Sequence, residues 1–92
     1  MEFKIGNFVI SKAGHDKGQY YVIVGEEGDF VYLSDGRLKK VEAPKRKRKK
    51  HIQIINRTVG NELLKKLTGT AASAQITDEE IKYEIKQYLK QE

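Results

Sequence analysis

Up to about residue 57 the chain sets short apolar runs between polar turns, and after that its apolar residues recur at helical spacing. Three runs come first: about Asn7 to Lys12, about Gln19 to Val24 and Asp29 to Leu33. Each is rich in β-branched or aromatic residues, which predicts strands. Gly14-His15-Asp16-Lys17-Gly18 predicts a tight loop between the first two. Its glycines suit positive φ or close backbone approach. Its three central side chains are expected to point outward, because so short a turn has no interior. Gly25-Glu26-Glu27-Gly28 predicts the next turn. Ser34-Asp35-Gly36 predicts a tight hairpin into a fourth strand, Arg37 to Val41, with Leu38 and the aliphatic part of Lys40 on one face. Pro44 ends that strand, and a fifth runs about His51 to Ile55 with Ile52 and Ile54 on one face.

Five short strands joined by polar turns predict a mainly β fold, an SH3-like five-stranded barrel spanning residues 1–57. Both parities of the second strand are apolar, so periodicity does not choose its inner face; in a small barrel both faces are partly covered. Phe3 and Ile5 are placed to pack under the barrel. Residues 58–92 predict a C-terminal helical extension. Asn61 caps a short helix about 61–67, and 68–75 reads as a linker of small residues. Thr77 and Glu80 form a capping box, with Ile76 and Ile81 placed as a hydrophobic staple, opening a helix about 78–91. Asp78, Glu79 and Glu80 add negative charge at the positive end of its dipole. Ile81, Ile85, Tyr88 and Leu89 make one apolar stripe. Burying one Ile or Leu contributes roughly 1.5–3 kcal/mol. The stripe must therefore be covered: by the barrel, by the first helix, or by a second subunit as a helix interface.

Composition narrows the chemistry. The chain has no cysteine, which excludes disulfides, cysteine-based zinc sites and a cysteine nucleophile. No secretory signal or membrane span is visible, and a cytoplasmic location is expected. The formal charge of +5 is uneven. Residues 1–57 hold thirteen basic and seven acidic side chains, whereas 58–92 hold five and six. The first part therefore favours a polyanionic partner. Residues 37–50 concentrate nine cations against the single acid Glu42: Arg37, Lys39, Lys40 and the unbroken run Lys45, Arg46, Lys47, Arg48, Lys49 and Lys50. Mutual repulsion predicts a segment that is mobile when free and orders on phosphate backbones. A solubilising loop and an import-like address signal are the other readings of this run.

The stretch from Gly6 to Val24, with its strand Phe8 to Ile10, its loop Gly14 to Gly18 and its strand Tyr20 to Val24, resembles the KOW motif. It is most similar to the large-subunit KOW proteins of archaeal and eukaryotic ribosomes and to small bacterial KOW-domain RNA-binding proteins. The resemblance covers roughly the first 55 residues, extending loosely through Lys50-His51-Ile52. It implies an SH3-like barrel, motif glycines at Gly6, Gly14 and Gly18, and RNA contact by Lys12, His15 and Lys17. For His15 and Asp16 an ordinary hairpin turn is an equal alternative. The resemblance also makes ribosomal RNA the expected partner and a ribosomal or translation-linked role the expected setting.

The remaining residues give little sign of catalysis. His51 adjoins the basic run and offers a further phosphate donor or a half-buried strand residue. Tyr20, Tyr21, Phe30 and Tyr32 are base-stacking candidates, but most are needed inside so small a core. Two histidines with no cysteine and no carboxylate at ligand spacing make no metal constellation, and no cofactor is expected. Ser11, Ser34 and Ser73 have no base or oxyanion partner in view. The expected function is a non-enzymatic RNA-binding module; the alternative is a protein-interaction module docking or dimerising through the last helix.

Overall fold

The computed structural model describes residues 3–69 and 76–91. Its strands are β1 (Asn7–Ser11), β2 (Tyr20–Glu27), β3 (Phe30–Ser34), β4 (Lys45–Arg48) and β5 (Ile52–Thr58), followed by the helices α1 (Asn61–Leu67) and α2 (Asp78–Gln91). The five strands form one antiparallel sheet in the order β4-β3-β2-β1-β5. The fold is thus mainly β with helices following the sheet. The sheet is open: β4 and β5 are its two edges.

Chain connectivity nevertheless forces strong curvature. In a flat sheet the two edges would lie about 19 Å apart, four spacings of about 4.8 Å. Yet β4 and β5 are joined only by the single 3-10 turn Lys49–His51. Such a turn advances about 2 Å per residue, so the sheet must curl until its edges approach at that corner.

The curl explains why both faces of β2 are apolar. Val9, Tyr21, Ile23, Val31, Leu33 and Ile52 fill the inside, with Phe3, Ile5 and Ile54 packed against them. On the other face Phe8 and Val22, paired in register, join Val59, Leu63, Ile81, Ile85 and Tyr88 beneath the helices. The Phe8 and Tyr88 rings stack at 5.0 Å. The stripe on α2 is therefore covered by this chain's own sheet and by α1; of its four residues only Leu89, 44% exposed, faces outward. Buried Asn7 supports a register irregularity between β1 and β5, its side-chain amide donating to the Ile55 and Arg57 carbonyls.

Several boundaries differ from the sequence reading. β2 continues through Gly25 to Glu27, past a register shift between Ile23 and Gly25, so the turn narrows to Gly28 and Asp29. Arg37 to Val41 is not a strand. Asp35 accepts hydrogen bonds from the Arg37 and Lys39 N–H groups, each 2.9 Å, and Ser34 Oγ donates to the Lys39 carbonyl at 2.8 Å. These side chains win the backbone away from a hairpin ladder, and Leu38 is left 86% exposed. The loop is instead anchored to α2, where the Val41 N–H donates to Asp78 at 2.7 Å.

The fourth strand is the first four residues of the basic run, so Pro44 precedes it rather than ending it. This segment pairs with β3 as a regular edge strand where a loop was expected. Gly60, not Asn61, stands at the N-cap of α1, with no side-chain cap bond. The capping box of α2 is present: the Thr77 N–H donates to Glu80 Oε1 at 3.1 Å and the Glu80 N–H donates to Thr77 Oγ1 at 3.3 Å. Most of the expected linker, from residue 70 to 75, lies outside the described residues.

Candidate functional site

Strand geometry splits the basic run in two. Side chains alternate across a strand, and Lys45 and Lys47 share the face of their partners Leu33 and Val31, turned into the curl. Arg46 and Arg48 oppose Tyr32 and Phe30 on the outer face and are exposed. The pattern continues past the strand: Lys49 is half-buried and ion-paired with Glu26, while Lys50 is exposed.

Asp16 receives the inward pair. Lys47 Nζ donates to Asp16 Oδ1 at 2.5 Å and to the Ala13 carbonyl at 2.7 Å, and Lys45 Nζ stands 3.5 Å from Asp16 Oδ2. Ser11 Oγ donates to Asp16 Oδ1 at 2.9 Å and the Tyr21 hydroxyl to Oδ2 at 3.2 Å. Burial alone would raise the Asp16 pKa. The hydrogen bonds from Lys47 and Ser11, with the charges of Lys47 and Lys45, outweigh it and hold the carboxyl well below the usual range. Burial, followed by the Asp16 charge and hydrogen bond, pushes the Tyr21 phenol up.

Asp16 therefore does not point outward. Gly14 and Gly18 have φ of +85° and +90°, which lets the loop fold back over its own middle residue. His15 and Lys17 remain exposed on its surface, with Lys12 at its base.

These bonds join two basic segments some thirty residues apart in the chain. Loop residues Ala13 and Asp16 hold β4 through Lys47, and the Lys12 N–H donates to the His51 carbonyl at 2.8 Å. Lys12, His15 and Lys17 are thus carried on a loop tied directly to β4 and the 3-10 turn. His51 itself is half-buried. Gly6 sits at the entry to β1, donating from its N–H to the Ile23 carbonyl and accepting from the Val59 N–H.

Phe30, the first residue of β3, lies on the outer face opposite Arg48. The Arg46 guanidinium sits 3.6 Å from its ring centroid and that of Arg48 sits 5.0 Å away. Beside them the Tyr32 hydroxyl donates to Glu27 at 2.9 Å, which raises its pKa. Of the four aromatic candidates, Tyr21 is buried in the curl and Tyr20 packs toward Tyr88 at 6.0 Å. Phe30 and Tyr32 stay half-exposed among cations.

Arg37, Lys39 and Lys40 go elsewhere, to the loop that packs on α2. Ile81, Ile85 and Tyr88 are internal. Sequence reasoning missed Asp16 as the hub of the loop; the signal for it was a lone acid among cations. Reasoning also passed over Lys82, Lys86 and Lys90, whose four-residue spacing on α2 was legible.

Among the described residues no group of three His, Cys, Asp or Glu side chains stands together to hold a metal ion, and no helix is long and apolar enough to cross a membrane. No family model matches this chain, and no curated protein matches it.

Proposed function

We propose that this protein is a non-enzymatic RNA-binding module, an SH3-like barrel of the KOW type left open between its edge strands. The observation that carries this reading is the outer face of β4. There Arg46 and Arg48 are fixed over Phe30, with Lys50 next in the same alternation and the loop bearing Lys12, His15 and Lys17 tied alongside. Guanidinium groups held over a ring are oriented before any ligand arrives, and a fixed donor fork is suited to phosphate. The inward lysines supply no phosphate contact; through Asp16 they hold the loop and strand at a set spacing. Backbone phosphates supply most of the affinity, and no dense set of polar side chains is available to read bases, so the target is recognised by shape. Structured ribosomal RNA is the target the resemblance implies, in a ribosome- or translation-associated role in the cytoplasm.

A mobility-shift series with a structured RNA at rising salt tests this. Arg46→Ala/Arg48→Ala should weaken binding at least tenfold; both side chains are exposed, and amide NMR spectra check that β4 keeps its pairing with β3. Unchanged affinity in that variant, or affinity indifferent to salt, would refute the reading. A protein-docking role through the α2 stripe is less well supported, because Ile81, Ile85 and Tyr88 are already buried against the sheet.

A further inference from the structure

A second cationic surface lies along α2. A groove of about 530 Å³ runs between α2 and the residues that follow β3 and precede β2. Its floor is apolar: Tyr20, Ile85 and Leu89. Its rim is cationic: Lys82, Lys86 and Lys90 from α2, and Arg37 from the loop facing it. Among the described residues one carboxylate, Asp35, is in the lining, and it is engaged by the Arg37 and Lys39 backbone N–H groups. Lys82 also pairs with Glu79 at 3.2 Å, whereas Lys86 and Lys90 are exposed.

Resting on the RNA-binding reading above, we infer that this groove takes a single-stranded segment of the bound RNA. A base would rest on the apolar floor and successive phosphates along the lysine rim. Three features favour this occupant over an acidic protein. The lysines recur every fourth residue, about 6 Å apart along the helix axis, and so meet an evenly repeating anion. The groove has the volume of a small-ligand site, enough for about one or two nucleotides but too small for the apolar face of a partner helix. Finally, its lining includes Gln19, which directly follows the Gly14–Gly18 loop. Only Gly18 separates Lys17 from Gln19, so a strand contacting Lys17 is already beside the groove. A ring and aliphatic side chains under a cationic edge are what a sequence-tolerant single-strand site requires.

The test compares a blunt RNA hairpin with the same hairpin carrying a single-stranded tail of about six nucleotides, by fluorescence anisotropy on the full chain. The tailed RNA should bind about tenfold tighter, the gain expected of one stacked base. Lys86→Ala/Lys90→Ala should erase that difference and leave blunt-hairpin affinity unchanged. Arg46→Ala/Arg48→Ala should weaken both RNAs together. Amide NMR spectra check that each variant is folded. Equal binding of the two RNAs by the native chain overturns the groove proposal while the hairpin site stands. Failure to bind either RNA overturns both. Displacement of the tail by a polyglutamate peptide at equal affinity also overturns it, since the groove would then be a general anion site.

Discussion

Asp16 accepts from Ser11, Tyr21 and Lys47 and lies beside Lys45, with its side chain only 12% exposed. Removing one partner of a buried charge pair strands the other, at a cost of about 3 kcal/mol. Lys47→Met should lose about that much stability in urea denaturation. Asp16→Asn should recover part of the loss when combined with it, as coupling in a double-mutant cycle. The pH dependence follows from the depressed Asp16 pKa. The stabilising form is the carboxylate. Its contribution is complete above the unfolded aspartate value of about 3.9 and is lost as pH falls from there toward the lower folded value. Urea midpoints should therefore drop steeply below about pH 4 in the native chain and less steeply in Asp16→Asn. Tyr21 acts in the opposite sense. Its phenol is raised, so its contribution is complete below its unfolded value of about 10 and lost as pH rises beyond that.

At the level of elements, β4 is a strand without a strand-like sequence. Four adjacent cations hold an extended edge because each has a place to put its charge: Lys45 and Lys47 on Asp16, Arg46 and Arg48 on Phe30. Charged edges also discourage pairing with another chain. The seating of α2 depends on two local features. Its capping box should contribute about 1 kcal/mol, so Thr77→Ala should lower stability by about that amount and fray the first turn in amide exchange. Its contact with the loop depends on buried Gly36, which has φ of +72° and where a β-carbon would lie 2.2 Å from the Asp78 carbonyl oxygen. Left-handed strain costs about 1–3 kcal/mol before any clash is counted. Gly36→Ala should therefore destabilise by more than about 2 kcal/mol and displace the start of α2, seen as amide shifts at Asp78 and Lys82.

Across the whole molecule, charge is partitioned by depth rather than simply accumulated. Along β4 and the turn after it, the half-buried or buried Lys45 and Lys47 share Asp16 and Lys49 pairs with Glu26, and the outward set remains for a ligand. If Lys12, Lys17, Arg46, Arg48 and Lys50 each meet one phosphate, log K against log salt should fall with a slope of about −3.5 on single strands and about −4.5 on duplex RNA. Arg46→Ala/Arg48→Ala should lower the magnitude of that slope by about 1.4–1.8. A titration series over salt measures both.

Local patterns were enough for β1, β2, β3 and α2, because these carry dense β-branched runs or a capping box followed by an apolar stripe. The apolar character of both faces of β2 was also legible, and the glycines at 14 and 18 as the ends of a tight loop, but not the folding of that loop over Asp16, whose side chain was expected to point outward. Tertiary structure alone decided the fate of the basic run. Like charges in sequence read as mutually repelling and loose, and only contacts with Asp16, Glu26 and Phe30, distant along the chain, convert them to an ordered edge. The same holds for Arg37 to Val41, where alternation pointed to a strand but the Asp35 carboxylate and the docking of α2 took the backbone hydrogen bonds. Periodicity records which side chains share a face; it does not record which distant acid or ring that face will meet.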